Sequence, residues 1–373
     1  MMDIKWVHSD DIPEGLVKSF CHLFEATHKE APIKNVTTKL KIIQVSPTIY
    51  FPVTINDTEW NTSFVCSPYT AYIHYAKDEI KRKIKNPLVR SPLLFIIFLI
   101  SKWFKKGLLN KNVHVNNFLL STNPYPVWDG ATIKQITTFI KKEFPEHAII
   151  FRSLNQYQHT HLLGVFKQEN YTLIGSRQVY IFDLPYTDWL QRKNNKLDNK
   201  LIKKKELTFI DHTGMAVYLD QALSLYNDLY LKKYSTYNPQ FTLRYFEHCY
   251  KENMILFQGY KDENNQLKAF SGLFILDQTI TSPLVGYDTK APQKEGLYIH
   301  AAQLAILHKF KSGLLANLSS GASGFKRFRG GVASIEYSAI YIKHLPRKRR
   351  VIWKLLAIIS NKIGVPIIRK YKL

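Results

Sequence analysis

The stretch LSSGASGFKRFRGG, Leu318 to Gly331, decides how the rest of the chain is interpreted. Its four glycines permit backbone conformations and close approaches that a Cβ atom would block. Lys326, Arg327 and Arg329 alternate with two phenylalanines, and no acidic residue interrupts them. Backbone N–H groups and cations in such a loop can together bind phosphate or carboxylate. The alternative, a surface hairpin with incidental cations, stays open at this point.

Phosphate-binding and hydrolytic motifs of other kinds do not fit this sequence. A Walker-type loop needs GxxxxGK[ST] between a strand and a helix, whereas the residues from Gly321 run GASGFKRF. The dinucleotide fingerprint GxGxxG and the nucleophile elbow GxSxG are absent. His159 and His161 have no evident third ligand, so the sequence predicts no metal site. Asp211 and His212 stand together without a nucleophile motif, which disfavours a hydrolase triad.

Strands and helices alternate on both sides of the loop. Before it, GLYIHAAQLAILHKFKSG has the period of a helix that ends at Gly313, and LLANLSS has the composition of a strand. After it, ASIEYSAIYIKHL predicts a final strand. A similar alternation runs from VNNFLLST through TIKQITTFIKKEF and HAIIFRSL to YTLIGSRQVYIFDL. The 373 residues therefore predict two mixed α/β units in tandem.

Three further segments give local predictions. Residues 40–75 are rich in β-branched and aromatic residues and predict strands. The basic stretch 191–207 is typical of a solvated helix face. Tyr226, Tyr230 and Tyr234 recur at every fourth position, which favours one helix face packed into the core.

The order of elements over residues 286–341 resembles the acetyltransferase (GNAT) fold, in the branch related to Fem-type peptidyltransferases. The matching pieces are VGYDTKAP, GLYIHAAQLAILHKFKSG, LANLSSGASGFKRFRGG and IEYSAIYIKHLP, and the similarity extends over residues 192–346. The resemblance implies an α/β fold of tandem GNAT-like domains, each with a mixed central sheet flanked by helices. The expected parts are an N-terminal GNAT-like domain at 1–175, a C-terminal GNAT acyltransferase domain at 176–346 and a basic amphipathic tail at 347–373.

The same resemblance implies an acyltransferase that moves an activated acyl group onto an amine of a small or lipid-like, cell-envelope acceptor. GNAT enzymes bind acyl-CoA with a Q/R-x-x-G-x-G/A loop, of which this sequence has no clean copy. The Fem-type branch implies aminoacyl-tRNA as another donor, which suits a basic chain. Acyl-CoA, an acyl-carrier protein and aminoacyl-tRNA all stay open, and no metal is implied. The candidate donor-binding residues are Gly321, Ala322, Ser323, Gly324, Phe325, Lys326 and Arg329.

The catalytic candidates lie on the strands near the loop. Asp288 or Glu336 is the candidate proton acceptor for the amine, and Tyr287 is the candidate donor to the leaving group. Asp288 could instead cap a turn, and Glu336 could instead pair with Arg329. If Lys326 and Arg329 bind a ligand, their replacement should lower turnover and leave the melting temperature nearly unchanged.

The positive charge is concentrated in the tail. The chain has a formal charge of +23, which favours a polyanionic partner, and ten cations and no acid follow Glu336. Apolar residues recur at helical spacing over 351–363, and Pro366 should end that helix. The run LLFIIFLI, 93–100, is shorter than a membrane span and predicts either a buried helix or an interfacial one with Trp103 at the headgroups. The tail predicts peripheral binding to an anionic membrane, with docking on the protein and RNA binding as alternatives.

The alternative function is a non-catalytic basic module that binds RNA or an anionic membrane. Such a module would show salt-sensitive association alone, whereas an acyltransferase would release thiol from acyl-CoA or an acyl carrier. Three widely spaced cysteines fit a reducing, cytoplasmic setting. The acidic first fifteen residues lack an apolar core and predict no secretory signal. The predicted location is cytoplasmic, with peripheral attachment to the inner face of the membrane.

Overall fold

The computed structural model describes residues 4–25, 30–204 and 206–371, and its strands form one mixed sheet. The strands are β1 (Lys5–Val7), β2 (Lys39–Gln44), β3 (Tyr50–Asn56), β4 (Asn112–Val115), β5 (Ala148–Asn155), β6 (Thr172–Phe182), β7 (Thr208–Ile210), β8 (Leu256–Lys261), β9 (Leu267–Leu276), β10 (Thr279–Tyr287), β11 (Leu315–Asn317) and β12 (Val332–Tyr341). The helices are α1 (Leu16–Glu25), α2 (Tyr75–Lys83), α3 (Pro87–Lys106), α4 (Ile133–Glu143), α5 (Gln156–Gln168), α6 (Tyr186–Gln191), α7 (Lys193–Lys204), α8 (Leu219–Tyr226), α9 (Leu243–Lys251), α10 (Leu297–Ser312), α11 (Ser323–Phe328), α12 (Arg347–Ile359) and α13 (Val365–Tyr371).

The strand order shows that the two units, β1–β6 in the first half of the sequence and β7–β12 in the second half, exchange their long strands. From one edge to the other the order is β1-β2-β3-β4-β5-β12-β6-β11-β10-β9-β8-β7. β12, the last strand in sequence, lies beside β5 of the first unit, and β6 lies beside β11 of the second unit. β12 and β6 are antiparallel neighbours along most of their length. Each unit is therefore completed by a strand from the other half of the sequence.

Each unit contains one parallel strand pair joined by a crossover helix. β4 and β5 are connected through α4, and β10 and β11 through α10. The three-residue β11 pairs with Thr279 and Ile280 of β10, so the ladder between them does not extend over the remainder of β10, as far as Tyr287. An irregularity between Thr281 and Leu284 interrupts the pairing of β10 with β9. The second unit therefore has only a short parallel pairing next to the glycine loop, the name used here for Leu318–Gly331.

The predicted mixed α/β class is confirmed, with a large mixed sheet flanked by helices. The two expected central sheets are joined into one continuous sheet, because β6 and β12 pair with each other as well as with their units. The expected boundary between residues 175 and 176 falls inside β6. The three-part division stays a prediction. Its extreme ends, residues 1–3 and 372–373 (Lys372 among the tail cations), lie outside the described residues.

Helices predicted from periodicity form where apolar residues share a face. In α4, Ile133, Ile136 and Ile140 are three and four positions apart, and all three are fully buried. α10 ends at Gly313, as predicted, because this glycine takes a left-handed φ of 73°. Its backbone N–H donates to Lys309 O at 2.9 Å and so closes the last turn.

The prediction of strands throughout residues 40–75 was wrong for the second half of that segment. β2 and β3 account for its first half, and the chain from Pro68 onward is helical. Ser67 Oγ accepts the backbone N–H of Thr70 at 2.9 Å and donates to Asn110 Oδ1 at 2.9 Å. Serine as the cap followed by proline in the first helical position is a helix-start signal. That local signal outweighed the β-branched composition.

The prediction that Pro366 ends the C-terminal helix was also wrong. A π-helical turn, Ser360–Gly364, follows α12, and α13 begins at Val365 with Pro366 as its second residue. Proline lacks an N–H group but is tolerated in the first turn of a helix. The wide π-helical turn begins a new hydrogen-bonding register at that point. The helical tail therefore continues to Tyr371.

Candidate active site

The glycine loop contains a short helix, α11, between β11 and β12. Ser319, Gly321 and Ala322 precede α11 with positive φ angles of 58°, 81° and 46°. Gly330 follows α11 with a φ of 103°, a conformation that L side chains rarely adopt. A loop was predicted here from the sequence, but the helix between its glycines was not. Gly321 and Ala322 are exposed, so the chain here is open to solvent on one side.

Lys326 is buried within the loop, with an exposed fraction of 7%. Its Nζ lies 2.6 Å, 3.3 Å and 2.9 Å from the carbonyl oxygens of Leu318, Ser319 and Ser320. Three acceptors match the three N–H donors of an ammonium group. Burial, and to a smaller extent the charge of Arg177, lower the pKa of Lys326 to about 7. This lysine can therefore give or take a proton near neutral pH, as a general acid or base must.

Arg329 is held by an ion pair and by an aromatic ring. Its Nη2 lies 2.8 Å from Asp198 Oδ1, and its Nε donates to Asp198 Oδ2. Its guanidinium carbon lies 3.7 Å from the centroid of the Phe325 ring. Asp198 belongs to α7, within the stretch 191–207 that was expected to be solvated, and it is buried (Lys205 of that stretch lies outside the described residues). Arg329 therefore ties α7 to the glycine loop.

Arg327 faces a cavity of about 350 Å³, a size typical of small-molecule sites. Its Nη1 is buried and has no hydrogen-bond partner within the described chain. Two arginines and no acid are among the lining residues, which suits phosphate or carboxylate. The lining residues are Gln156, Gln178, Arg327, Ala333, Ser334, Ile335 and Arg369.

Glu336 lies at the strand exchange and pairs with Arg177 instead of Arg329. Arg177 Nε lies 2.9 Å from Glu336 Oε1, and Arg177 Nη2 lies 3.2 Å from Oε2. Burial lowers the pKa of Arg152 to about 10, although the nearby Glu336 carboxylate raises it. The carbonyl oxygen of Ser121 accepts hydrogen bonds from both arginines. One carboxylate therefore balances two cations on three adjacent strands, β5, β12 and β6.

Tyr287 and Phe325 belong to an aromatic cluster between β10, α10 and α11. The ring of Tyr298 lies 5.7 Å from that of Tyr287 and 4.8 Å from that of Phe325. Burial raises the pKa of Tyr298 above its ordinary value, so its phenol stays protonated. Tyr287 Oη accepts a hydrogen bond from Lys233 Nζ at 3.2 Å. The cluster therefore connects the end of β10 to α10 and α11.

Asp288 has partners of its own, separate from the aromatic cluster. Its Oδ2 lies 3.2 Å from Lys268 Nζ, and its Oδ1 accepts the backbone N–H of Lys290 at 3.0 Å. The carbonyl oxygen of Asp288 also accepts the N–H of Ala291 at 3.3 Å. Asp288 therefore caps the turn after β10 and forms an ion pair.

Most of the predicted site residues are connected to the glycine loop, but through other side chains that the sequence did not indicate. Tyr287 reaches the loop through Tyr298, and Arg329 is anchored by Asp198. Glu336 pairs with Arg177, and the charge of Arg177 contributes to lowering the pKa of Lys326 in the loop. Asp198 carried a signal, since it is the only acid among the basic residues from Gln191 to Lys205. No such sequence signal marked Arg152, Arg177 or Tyr298, because they lie in ordinary strand and helix patterns.

His159 and His161 do not converge on a common point. His159 Nδ1 accepts the backbone N–H of Asn155 at 3.2 Å, and its ring contacts the edge of Tyr125 at 5.4 Å. His161 is exposed. Across residues 4–25, 30–204 and 206–371, no group of three or more His, Cys, Asp or Glu side chains is placed to hold a metal ion.

Acidification should destabilise the protein through His159. Burial lowers the pKa of His159 to about 4, from 6.5 in an unfolded chain. Between these values the unfolded state binds more protons, so stability is lost as the pH falls from about 6.5 towards 4. We expect His159 to account for a loss of about 2 kcal/mol between pH 6.5 and 4.5. Urea unfolding of the protein and of His159→Gln at both pH values measures it, and an equal loss in the two proteins would contradict the assignment.

A solved structure, that of FemX, shares this fold across most of the chain. FemX aligns with 95% of this chain and 99% of its own, at 9% identity and a TM-score of 0.53. A tandem GNAT protein from the clavulanic acid biosynthesis pathway covers 91% of this chain and 98% of its own, at 7% identity and a TM-score of 0.40. L-PGS from Bacillus licheniformis covers 61% and 77%, at 15% identity and a TM-score of 0.43. No family model and no curated protein sequence matches the chain. The likeness to FemX confirms the predicted Fem-like GNAT fold.

Proposed function

We propose that the chain is an acyltransferase that moves an activated acyl group onto an amine, with two consecutive residues of α11 at its centre. The observation that carries the proposal is their placement. Lys326 has a pKa of about 7 among three carbonyl oxygens, and Arg327 has an unpaired buried nitrogen in a cationic cavity. Adjacent residues thus supply a proton-transfer group and an anion-binding group. The fold shared with FemX supports this class of reaction.

The donor in this proposal is an activated acyl compound that carries phosphate. Acyl-CoA, an acyl-carrier protein and aminoacyl-tRNA all meet that description, and Arg327 and Arg369 would bind the phosphate through charge-assisted hydrogen bonds. The backbone and side chains of 321–325, with Tyr287 nearby, would line the path of the acyl group. The acceptor is an amine of a small or lipid-like molecule. The donors differ in their leaving group, a thiol or a ribose hydroxyl, and the assay below distinguishes them.

Lys326 can serve both halves of the transfer. Attack of the amine nitrogen on the acyl carbonyl forms the C–N bond and places negative charge on the carbonyl oxygen. The ammonium of Lys326 stabilises that charge by giving up one of its carbonyl partners. Collapse breaks the C–S or C–O bond, the leaving group takes the proton of Lys326, and the former amine returns a proton to the lysine. One proton thus moves from amine to leaving group, and the lysine is regenerated.

Replacing Lys326 with methionine should lower turnover about 100-fold, the usual loss when one group that stabilises an oxyanion is removed. Turnover is measured as thiol release from acetyl-CoA and as loss of the aminoacyl ester of aminoacyl-tRNA, with a panel of primary amines. Since Lys326 also binds three carbonyl groups, the rates are compared well below the melting temperature of each protein. Undiminished turnover with whichever donor the protein uses would contradict the role of Lys326.

Arg327→Ala completes the same experiment by testing the anion-binding group. It should raise KM for the donor about tenfold and leave kcat nearly unchanged, because the phosphate lies away from the reacting carbonyl. Lys290→Ala, which removes an exposed cation beyond β10, is the matched control and should change neither constant. An equal effect of both variants would show that general charge, and not this cavity, attracts the donor.

A non-catalytic basic binding module is the second candidate, favoured by the charge of +23. Such a module would bind tRNA or anionic vesicles with an affinity that falls steeply with salt, and it would consume neither donor. Donor consumption that depends on Lys326 would exclude it.

A further inference from the structure

Two acid-free segments account for most of the net positive charge of the chain. Residues 80–128 contain nine Lys and Arg residues, residues 337–373 contain ten, and neither segment contains Asp or Glu. The rest of the chain is close to neutral. The first segment includes α3, and the second includes α12 and α13. The charge therefore belongs to particular helices instead of being spread over the surface.

α3 exposes a continuous apolar face. Leu88, Phe95, Ile96, Leu99 and Trp103 recur at helical spacing, and their exposed fractions run from 46% to 83%. The opposite face packs on the protein through a half-buried row that ends at the buried Phe104. The alternative of a buried helix for the run 93–100 is therefore excluded. A soluble protein rarely leaves so large an apolar face uncovered unless that face binds something.

The C-terminal helices continue this apolar character. Trp353 and Leu356 of α12 are buried against the same core cluster that receives Phe104. The exposed side of the tail carries Val351, Ile358, Ile363, Ile367 and Tyr371. The docking that was the alternative expectation for the tail thus occurs, but it leaves a second apolar face uncovered.

Arg349 fastens the tail to the end of α3. Its Nε lies 3.0 Å from Gly107 O, and its Nη2 lies 3.1 Å from Leu108 O. Ile352 packs on the same turn so closely that a Cβ on Gly107 would lie 2.7 Å from its Cδ1. α3 and the tail are therefore neighbours held in a fixed relation.

By length and composition, α3 and the segment Arg347–Tyr371 are both long and apolar enough to cross a bilayer. The attachments of α3 argue for lying on the membrane instead. Before α3, Asp78 Oδ2 accepts a hydrogen bond from Ser235 Oγ at 2.6 Å. After it, Asn110 Oδ1 accepts from Ser67 Oγ and the chain enters β4 inside the sheet. Both flanks are fixed to the same folded body, so a helix about 30 Å long cannot place them on opposite sides of a bilayer.

We propose that α3 with α12 and α13 forms a membrane-binding surface, called here the three-helix surface, whose partner is an anionic lipid bilayer. The apolar faces enter the boundary between headgroups and acyl chains, with Trp103 at headgroup depth. Lys102 and Lys106 on α3, and Arg347 and Lys348 on α12, are exposed beside these faces and meet the lipid phosphates. RNA would satisfy the charges but leave the apolar faces in water. This proposal goes beyond the transfer reaction and does not rest on it.

Vesicle flotation of the full chain tests the proposal. The protein should bind vesicles that contain phosphatidylglycerol at least about tenfold more tightly than phosphatidylcholine vesicles, because cations near an anionic surface strengthen the binding. The triple variant Phe95→Ser, Ile96→Ser, Trp103→Ser should bind acidic vesicles at least about tenfold more weakly. The matched control Val127→Ser, Phe209→Ser, Val217→Ser removes exposed apolar groups elsewhere and should bind as the unaltered protein does.

Four outcomes would overturn the proposal. Equal binding to neutral and acidic vesicles, or binding to neither, removes the anionic bilayer as partner. Equal losses in the two triple variants show that general hydrophobicity, and not this surface, drives binding. Salt-sensitive tRNA binding that excludes vesicles assigns the charges to RNA. A dimer that dissociates in the Phe95, Ile96 and Trp103 variant assigns the apolar face to a second copy of the chain. Consumption of the donor by this variant, measured with a soluble acceptor, should persist, so failure here is distinguishable from failure of the proposed reaction.

Discussion

Replacing Arg329 with alanine should lower the free energy of unfolding by about 3–5 kcal/mol, the usual cost of removing one partner from a buried ion pair. The side chains of Arg329 and Asp198 are only 12% and 4% exposed. Without the guanidinium, the Asp198 carboxylate would stay buried with no charge to balance it. The stacking of Arg329 on Phe325 at 3.7 Å would be lost as well. Urea unfolding followed by tryptophan fluorescence measures the change.

Two control variants show whether the loss of stability comes from the buried ion pair. Lys232→Ala removes an exposed pair with Asp228, in which the lysine is 78% exposed, and should cost less than about 0.5 kcal/mol. The double variant Arg329→Met with Asp198→Leu removes both buried charges and should recover at least half of the lost stability. A loss below about 1 kcal/mol for Arg329→Ala would show that Asp198 is readily hydrated and that the pair does not hold α7 to the loop.

This expectation departs from the one drawn from the sequence, where loss of Lys326 or Arg329 was to leave the melting temperature unchanged. A cation in a glycine-rich loop suggests a ligand, because sequence shows the charge but not its partner. Here Asp198 lies more than 100 residues before Arg329 and on another helix. Among the three cations of the loop, Arg327 is the one with a buried nitrogen that has no hydrogen-bond partner in the described residues, and nothing in the local pattern distinguishes it from its neighbours.

The fold was predictable where local spacing decides it. The apolar period of α4 and the glycine stop of α10 are properties of contiguous residues, and both predictions hold. The strand exchange was not predictable in this way, because β6 and β12 pair across about 160 residues and alternation does not specify a partner. The helix after Ser67 was predictable in principle, since Ser-Pro is a start signal that β-branched neighbours obscured. Local signals give the elements, and long-range pairing gives their order.

Replacing Glu336 with alanine should also cost about 3–5 kcal/mol, since its side chain is 4% exposed and it balances two cations. Arg152 is half-buried, and desolvation already lowers its pKa to about 10, with Glu336 acting against that shift. Loss of the carboxylate would leave Arg152 and Arg177 to repel each other between β5 and β6. β12, which holds Glu336, is the strand through which the first unit is completed. The destabilisation should therefore spread to both units, and probes in either unit should report one common urea midpoint.

Glu336→Gln decides whether this residue accepts a proton in catalysis or positions its surroundings. A catalytic base would lose turnover in the glutamine variant while stability stayed nearly unchanged, because the amide keeps the shape and one acceptor oxygen. A charge-balancing residue would lose stability and turnover together, since Arg177 would shift away and disturb the loop that holds Lys326. In the second case the double variant Glu336→Leu with Arg177→Met, which removes the pair as a whole, should recover stability even though the carboxylate is gone.

For Glu336→Gln we expect stability and turnover to fall together, because both oxygens of Glu336 already accept hydrogen bonds from Arg177 at 2.9 Å and 3.2 Å. Loss of turnover in Glu336→Gln with an unchanged unfolding curve would contradict this expectation and show that Glu336 is a proton acceptor in the reaction.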